Sequence, residues 1–274
     1  MAICKDPSLT YLNDLGYNVV RLPRSGIGPL DVLGREERRI ERLGTLSQIW
    51  ASPLPPPFVG PPRPAADING KRTDELRLSI GLRILEGILA GMGAALPQIG
   101  FAYQRARSVQ FAFSGVEAVS VDPFELGRHL AAGDMDSRNP FAAHYFEDDN
   151  CEAFVITEVL RSRVFSLSAK DERGTEVSVD LPAIQQAVGA KVSVTAGATG
   201  STDLTFKGPE PLAFGFKAFA IDYVNGAWRV RGVAPGGGMA FAVLDPSGKE
   251  PPALTGIVLS AGGRVALRSG VASR

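Results

Sequence analysis

Residues 76–96 read LRLSIGLRILEGILAGMGAAL and satisfy two incompatible patterns at once. Taken as a helix, Leu78, Leu82, Leu85, Leu89, Met92 and Leu96 recur at steps of four and three and form one apolar stripe. Taken as a strand, Leu76, Leu78, Ile80, Leu82 and Ile84 alternate with Arg77, Ser79, Gly81 and Arg83, so apolar and polar side chains fall on opposite faces. Gly81, Gly87, Gly91 and Gly93 each lower helix stability by about 0.8–1 kcal/mol relative to Ala, so the segment is not optimised to stay helical. The alternating half also matches the roughly 9–11 residues of a membrane-crossing β-strand. Periodicity alone favours an amphipathic core helix; the strand pattern stays open beside it.

Working outward, Pro97 stops the segment on one side. On the other, residues 53–64 hold seven prolines, which remove backbone donors and require an exposed connector. Residues 8–34 predict a short helical turn ending near Gly16, a strand over Tyr17–Leu22 stopped by Pro23, and a tight loop region at Gly26, Gly28, Pro29 and Gly34. Arg35–Trp50 mixes four arginines with three glutamates before an apolar end and reads as a solvated strand or helix face. Ser108–Asp122 alternates as a strand that bends at Gly115. Asp122 is placed to N-cap a helix with Pro123 in its first turn, running to about Ala132, and residues 133–150 read as polar loop.

Ala153–Ala169 is a long strand rich in β-branched and aromatic residues, with a turn at Asp171–Gly174 and a return strand at Glu176–Asp180. Pro182–Val188 reads as a short helix and Val192–Ala196 as a brief strand. Leu212, Phe214, Phe216 and Ala218 alternate again, and Asn225-Gly226 between Phe219–Val224 and Trp228–Val233 is a strong hairpin signal. The fold class is α+β: a twisted, mainly antiparallel central sheet flanked by helices. Pro235–Gly238 marks a boundary, giving a body at residues 1–238 and a tail at 239–274. Two apolar patches in the tail, Leu254–Leu259 and Val265–Leu267, make it an element that cannot fold alone and should dock on the body.

The 274 residues suffice for a sizeable core, and 29 basic residues balance 29 acidic ones, so no global field recruits nucleic acid. The distribution is uneven: residues 1–107 carry 14 basic and 10 acidic side chains, whereas residues 108–244 carry 11 and 17. No run of about 18 apolar residues is present to make a transmembrane helix, and MAICKDPS lacks a secretory h-region, so the chain is expected in the cytoplasm. Cys4 and Cys151 are too few for a disulfide framework. No G-x-S-x-G, H-E-x-x-H or phosphate loop occurs, and Gly70-Lys71 lacks the required glycine, Ala65 standing in its place. His144 with Glu147, Asp148, Asp149 and Cys151 matches no zinc spacing and reads as a surface acidic loop, so no metal site is expected. The chemistry is that of a protein acting by shape, not of an enzyme.

Three stretches together resemble the short bacterial gasdermins: Cys4–Gly34, Asp67–Ala94 and Phe154–Val194. The resemblance implies an autoinhibited pore-forming protein with a twisted antiparallel sheet. An activating protease would remove the carboxy-terminal segment, and the freed body would oligomerise on membrane lipids of the inner membrane as large β-barrel pores, causing cell death in defence against phage. Within it, Leu76, Leu78, Ile80, Leu82 and Ile84 become the membrane-inserting strand, with Val109–Phe113 returning and a second hairpin drawn from Ala153–Ala169 and Glu176–Ala196. The tail matches the inhibitory peptide, and the Pro- and Gly-rich stretch 244–255 is accessible for cleavage, with Asp245, Lys249 and Leu254 as candidate residues before the scissile bond. Cys4 matches the position of an S-palmitoylated cysteine; no other cofactor is implied. A soluble β-rich binding or scaffold protein, whose tail completes its sheet, is the alternative of another class.

Overall fold

The computed structural model of the chain describes residues 17–36, 39–66, 75–92, 94, 103, 105–147, 151–197, 200–232, 257–259 and 264–267. In order, its strands are β1 (Asn18–Arg24), β2 (Asp31–Glu36), β3 (Arg39–Thr45), β4 (Arg63–Pro64), β5 (Leu76–Arg77), β6 (Ser108–Ser114) and β7 (Glu117–Ser120). They continue with β8 (Cys151–Lys170), β9 (Ser193–Gly197), β10 (Gly200–Val224), β11 (Ala227–Gly232), β12 (Ile257–Leu259) and β13 (Arg264–Leu267). The helices are α1 (Leu78–Gly91), α2 (Pro123–Ala132), α3 (Pro140–Glu147) and α4 (Leu181–Val188).

β8 and β10 form the spine, antiparallel from Asp203 opposite Ser168 to Ile221 opposite Ala153, with three register shifts that let so long a pair twist. The other edge of β8 takes β2, β7 and β6 in succession, and the other edge of β10 takes β9, β1 and β11. Side chains from both faces of this pair enter hydrophobic clusters. One joins Phe111, Phe165, Leu167, Leu204 and Phe206 to α1 and α4; another joins Val32, Trp50, Val155 and Ile221 to α2 and α3. Asp31 is buried at the start of β2, where it accepts from Arg42 Nη2 at 2.7 Å and from the Gly28 backbone at 3.0 Å. That hydrogen bond and ion pair hold the Arg42 guanidinium above its ordinary value and clamp the β2–β3 hairpin.

Several elements follow the sequence closely. β6 ends at Ser114, Gly115 adopts φ +59°, and β7 resumes at Glu117. Asp122 caps α2 by accepting from the Phe124 and Glu125 N–H groups, with Pro123 first in the helix. Asn225 (φ 54°) and Gly226 (φ 73°) make the turn between β10 and β11, both central residues taking the positive φ that a tight type I′ hairpin needs.

Others differ. β1 runs through Pro23 to Arg24; the missing donor is absorbed where its register with β10 shifts between Val19 and Arg24. Gly34 lies inside β2, not in a loop, paired with Glu41 and Ala153; glycine suits it because a Cβ there would lie 2.5 Å from Tyr145 Cε1 on α3. Residues 133–150 are not all loop: α3 starts at Pro140, with Asn139 Oδ1 accepting from the Phe141 N–H at 3.0 Å. The return strand expected at Glu176–Asp180 shrinks to a single bridge, Glu176 with Lys170: β6 pairs with Lys170 on the opposite edge, and β10 takes the edge a return strand would use from Ser168 onward.

Candidate functional site

The segment that reads two ways adopts both structures in succession. Leu76 and Arg77 pair as β5 with Val109 and Ser108 of β6, and the Leu78 N–H donates to the Arg107 carbonyl at 2.9 Å. From Leu78 the chain coils into α1. Nothing local drives this start: Arg77, the N-cap residue, provides no side-chain hydrogen bond, and the first turn has no acidic residue. The helix is held by its seat, where Leu85, Ile88, Leu89 and Met92 are buried and Leu78 and Leu82 pack partly exposed. Burying four such side chains is worth roughly 6–12 kcal/mol, against roughly 3 kcal/mol lost to the three helical glycines. Packing therefore decides for helix. Beneath its last turn, a Cβ on Gly208 of β10 would meet Met92 Cγ at 2.8 Å, so a larger residue there would force the Met92 side chain to shift.

The base of this unit is tied by polar contacts. The Glu75 carboxylate accepts from Lys170 Nζ at 2.5 Å and from Ser108 Oγ at 3.2 Å. The Lys170 hydrogen bond first, and the Ser108 one second, hold the Glu75 carboxyl below its ordinary value. Under the helix, Tyr103 is 1% exposed, and among the described residues its hydroxyl has no hydrogen-bond partner. Such a group costs about 1–3 kcal/mol, so the seat is not fully optimised.

The tail occupies a second position of consequence. β12 lies parallel to β1, Leu259 opposite Val20; β12 and β13 form an antiparallel hairpin; and β13 pairs with β3, Arg264 opposite Glu41 and Ala266 opposite Arg39. The tail is thus not laid over the sheet but inserted into it. With β8 paired to β10, the strands β10, β1, β12, β13, β3, β2 and β8 close a circuit in which the tail hairpin is the link between β1 and β3.

Of the residues singled out from sequence, Leu76 stands in β5, and Leu78, Ile80, Leu82 and Ile84 stand in α1. Cys4, Asp245, Lys249 and Leu254 lie outside the described residues. Val109, the first residue of the return strand drawn from sequence, is the cross-strand neighbour of Leu76, although the pairing of β5 with β6 extends only over Leu76–Val109 and Arg77–Ser108. Among the described residues no helix is long and apolar enough to cross a membrane, which says nothing of crossing by strands.

The model described as Bacterial Gasdermin Family matches residues 20–229. The chain belongs to the bacterial gasdermins. A gasdermin from Vitiosangium sp. (strain GDMCC 1.1324) is 41% identical over 253 residues, 92% of this chain and 94% of that relative. One from Lysobacter enzymogenes is 33% identical over 91% of this chain and 93% of the relative. The solved structure of a bacterial gasdermin from Bradyrhizobium tropiciagri shares the fold, with a TM-score of 0.61 at 17% identity over 81% of this chain and 90% of that one. Gasdermin membership supports a pore-forming role, exercised through self-association and membrane contact.

Proposed function

We propose that this gasdermin is held closed by its tail and opened by proteolysis. The observation that carries the proposal is the insertion of β12–β13 between β1 and β3. Backbone pairing on both sides makes the hairpin part of the sheet, so its loss bares two strand edges at once. Bare edges are templates for pairing with another copy. Asp245, Lys249 and Leu254 all precede Ile257, so a cut after any of them leaves the whole hairpin on the released peptide. Cutting turns an intramolecular contact into one that dissociates on dilution.

The register at β5–β6 supports a specific refolding. Extending it from Leu76 opposite Val109 sets Leu78 against Arg107, Ile80 against Arg105, Leu82 against Tyr103 and Ile84 against Phe101, and brings the chain reversal to Met92-Gly93. One face of the resulting hairpin would carry Leu76, Leu78, Ile80, Leu82, Ile84, Ile99, Phe101, Tyr103 and Val109, with Glu86 opposite Ile99 towards the chain reversal. The other would carry Arg77, Ser79, Gly81, Arg83, Leu85 and Gly87 with Gln98, Gly100, Ala102, Gln104, Ala106 and Ser108. Arg105 and Arg107 sit on the apolar face but nearest the base, where they reach the headgroups. The returning strand is accordingly 98–107 rather than Val109–Phe113, which serves as the base. In this proposal the barrel forms in the inner membrane and kills the cell during phage infection, and a palmitoyl group on Cys4 assists membrane capture.

Dye release from anionic liposomes tests this. A chain ending at Leu254 should release dye; the full chain, and the truncated chain carrying Leu82→Asp, should not. Silence from every truncation between Met239 and Leu259 would sink the proposal. Intact-mass measurement of protein purified from its native host should show a palmitoyl increment that Cys4→Ala removes.

A further inference from the structure

Far from α1, three side chains that are scattered in sequence converge. Glu36 ends β2, Cys151 begins β8, and the two are cross-strand partners. His144, in the last turn of α3, stands over them: its Nε2 is 3.6 Å from Cys151 Sγ and 3.6 Å from Glu36 Oε1, and all three donor atoms lie within 4.8 Å of one another. Cys151 is buried at 8% exposure, whereas the Glu36 side chain is 53% exposed, so one side of the cluster is walled and the other is open to solvent.

We propose that Glu36, His144 and Cys151 form a site for one zinc-class divalent cation, bound through Glu36 Oε1, His144 Nε2 and Cys151 Sγ with water in the fourth position. The distances are those of a tetrahedron already half assembled. With Zn–S near 2.3 Å and Zn–N near 2.05 Å, the sulfur–nitrogen edge of a tetrahedral site is about 3.6 Å and the nitrogen–oxygen edge about 3.4 Å. The two observed 3.6 Å separations match these edges, and the third, between Cys151 Sγ and Glu36 Oε1 and within 4.8 Å, closes to about 3.6 Å as the half-exposed Glu36 side chain turns towards the sulfur. Charge also balances. On binding, the Cys151 thiol gives its proton to solvent, and thiolate plus carboxylate with a neutral imidazole supply two negative charges for a divalent ion. The mixed sulfur, nitrogen and oxygen set suits zinc over magnesium or calcium, which take oxygen ligands.

The support is rigid. Tyr145, next to His144, packs over Gly34 of β2, and the two rings meet edge to face at 4.9 Å. A bound ion would therefore pin α3 to β2 and β8. The spacing His144–Cys151 alone resembles no zinc motif, because the third ligand comes from a strand more than a hundred residues earlier.

Cobalt(II) titration of the full chain, stripped with chelator and carrying Cys4→Ala to remove the other thiol, decides the matter. One equivalent should bind with a thiolate-to-cobalt charge-transfer band that zinc displaces. Cys151→Ser should abolish the band, and Glu36→Gln and His144→Ala should each weaken binding at least tenfold. Zinc at a hundredfold excess over its Kd should raise the Tm of the parent by about 5 °C or more, and that of Glu36→Gln far less. Glu36 is half-exposed, so its variant keeps the fold and carries the test even if Cys151→Ser does not. Absence of the band at one equivalent, or unchanged affinity in Glu36→Gln, overturns the proposal.

Discussion

α1 and the β8–β10 pair face the same hydrophobic cluster but are held in it by different means. Phe165 of β8 and Phe206 of β10 stack at 4.8 Å, and the strands that carry them exchange backbone hydrogen bonds along almost their full lengths. Side-chain packing and backbone ladder there demand the same structure. α1 makes its backbone bonds internally and adds only one apolar stripe to the cluster, while the two residues just before it pair as strand. A segment whose backbone bonds are local can exchange them for others without dismantling its neighbours. The spine cannot, since each strand supplies the other's partners.

The sharpest way to break this contrast is to strike both sides of the cluster. Phe165→Ala should lower global stability by about 3–5 kcal/mol, seen as a lower denaturant midpoint with every probe moving together. Leu89→Ala should cost about 2–5 kcal/mol, but locally. Amide exchange should then rise across residues 78–91 while β8 and β10 keep their protection. Equal loss of protection in both regions would mean that α1 is as integral as the spine.

A smaller effect is expected at Tyr103. Replacing it with Phe removes a buried hydroxyl that has no partner among the described residues and should stabilise the resting fold by about 1 kcal/mol. In the chain ending at Leu254, dye release should slow several-fold; faster release would show that the hydroxyl holds α1 down instead of straining it.

The smallest is a pH effect confined to the other cluster. Trp50 Nε1 donates to His129 Nε2 at 3.0 Å, and desolvation holds the His129 imidazole below its ordinary value. A depressed value means that the unfolded chain binds the proton more readily, so stability is present above the ordinary histidine value of about 6.5 and is lost as pH falls below it. Between pH 7.5 and 5.5 the Tm should fall more for the parent than for His129→Gln, and residues 78–91 should show no separate response.

Elements governed by local chemistry were legible from their residues. Asp122-Pro123 specifies a helix start wherever it lies, Asn225-Gly226 specifies a tight turn, and the β-branched run after Cys151 specifies a strand. α3 escaped notice because its eight residues are too few to show a helical period and its start is marked only by Asn139-Pro140, a pair that also begins turns. The return strand after Gly174 was legible but wrong: a strand needs a vacant edge, and β10, from further along the chain, fills the edge of β8 that a hairpin would use from Ser168 onward.

By itself, the sequence determined that Leu76–Ile84 is compatible with two structures, because side-chain period is a local property and this stretch satisfies both 3.6 and 2. It also determined that the tail has apolar pieces needing a host. Only the tertiary structure decided that the first segment rests as a helix, through a cluster assembled from β6, β8, β10 and α4, and that the tail's host is the gap between β1 and β3. The same holds for Glu36, His144 and Cys151, which meet because β2 and β8 are neighbours. Which edges and pockets stand vacant is set by all the other elements together, and no local pattern encodes it.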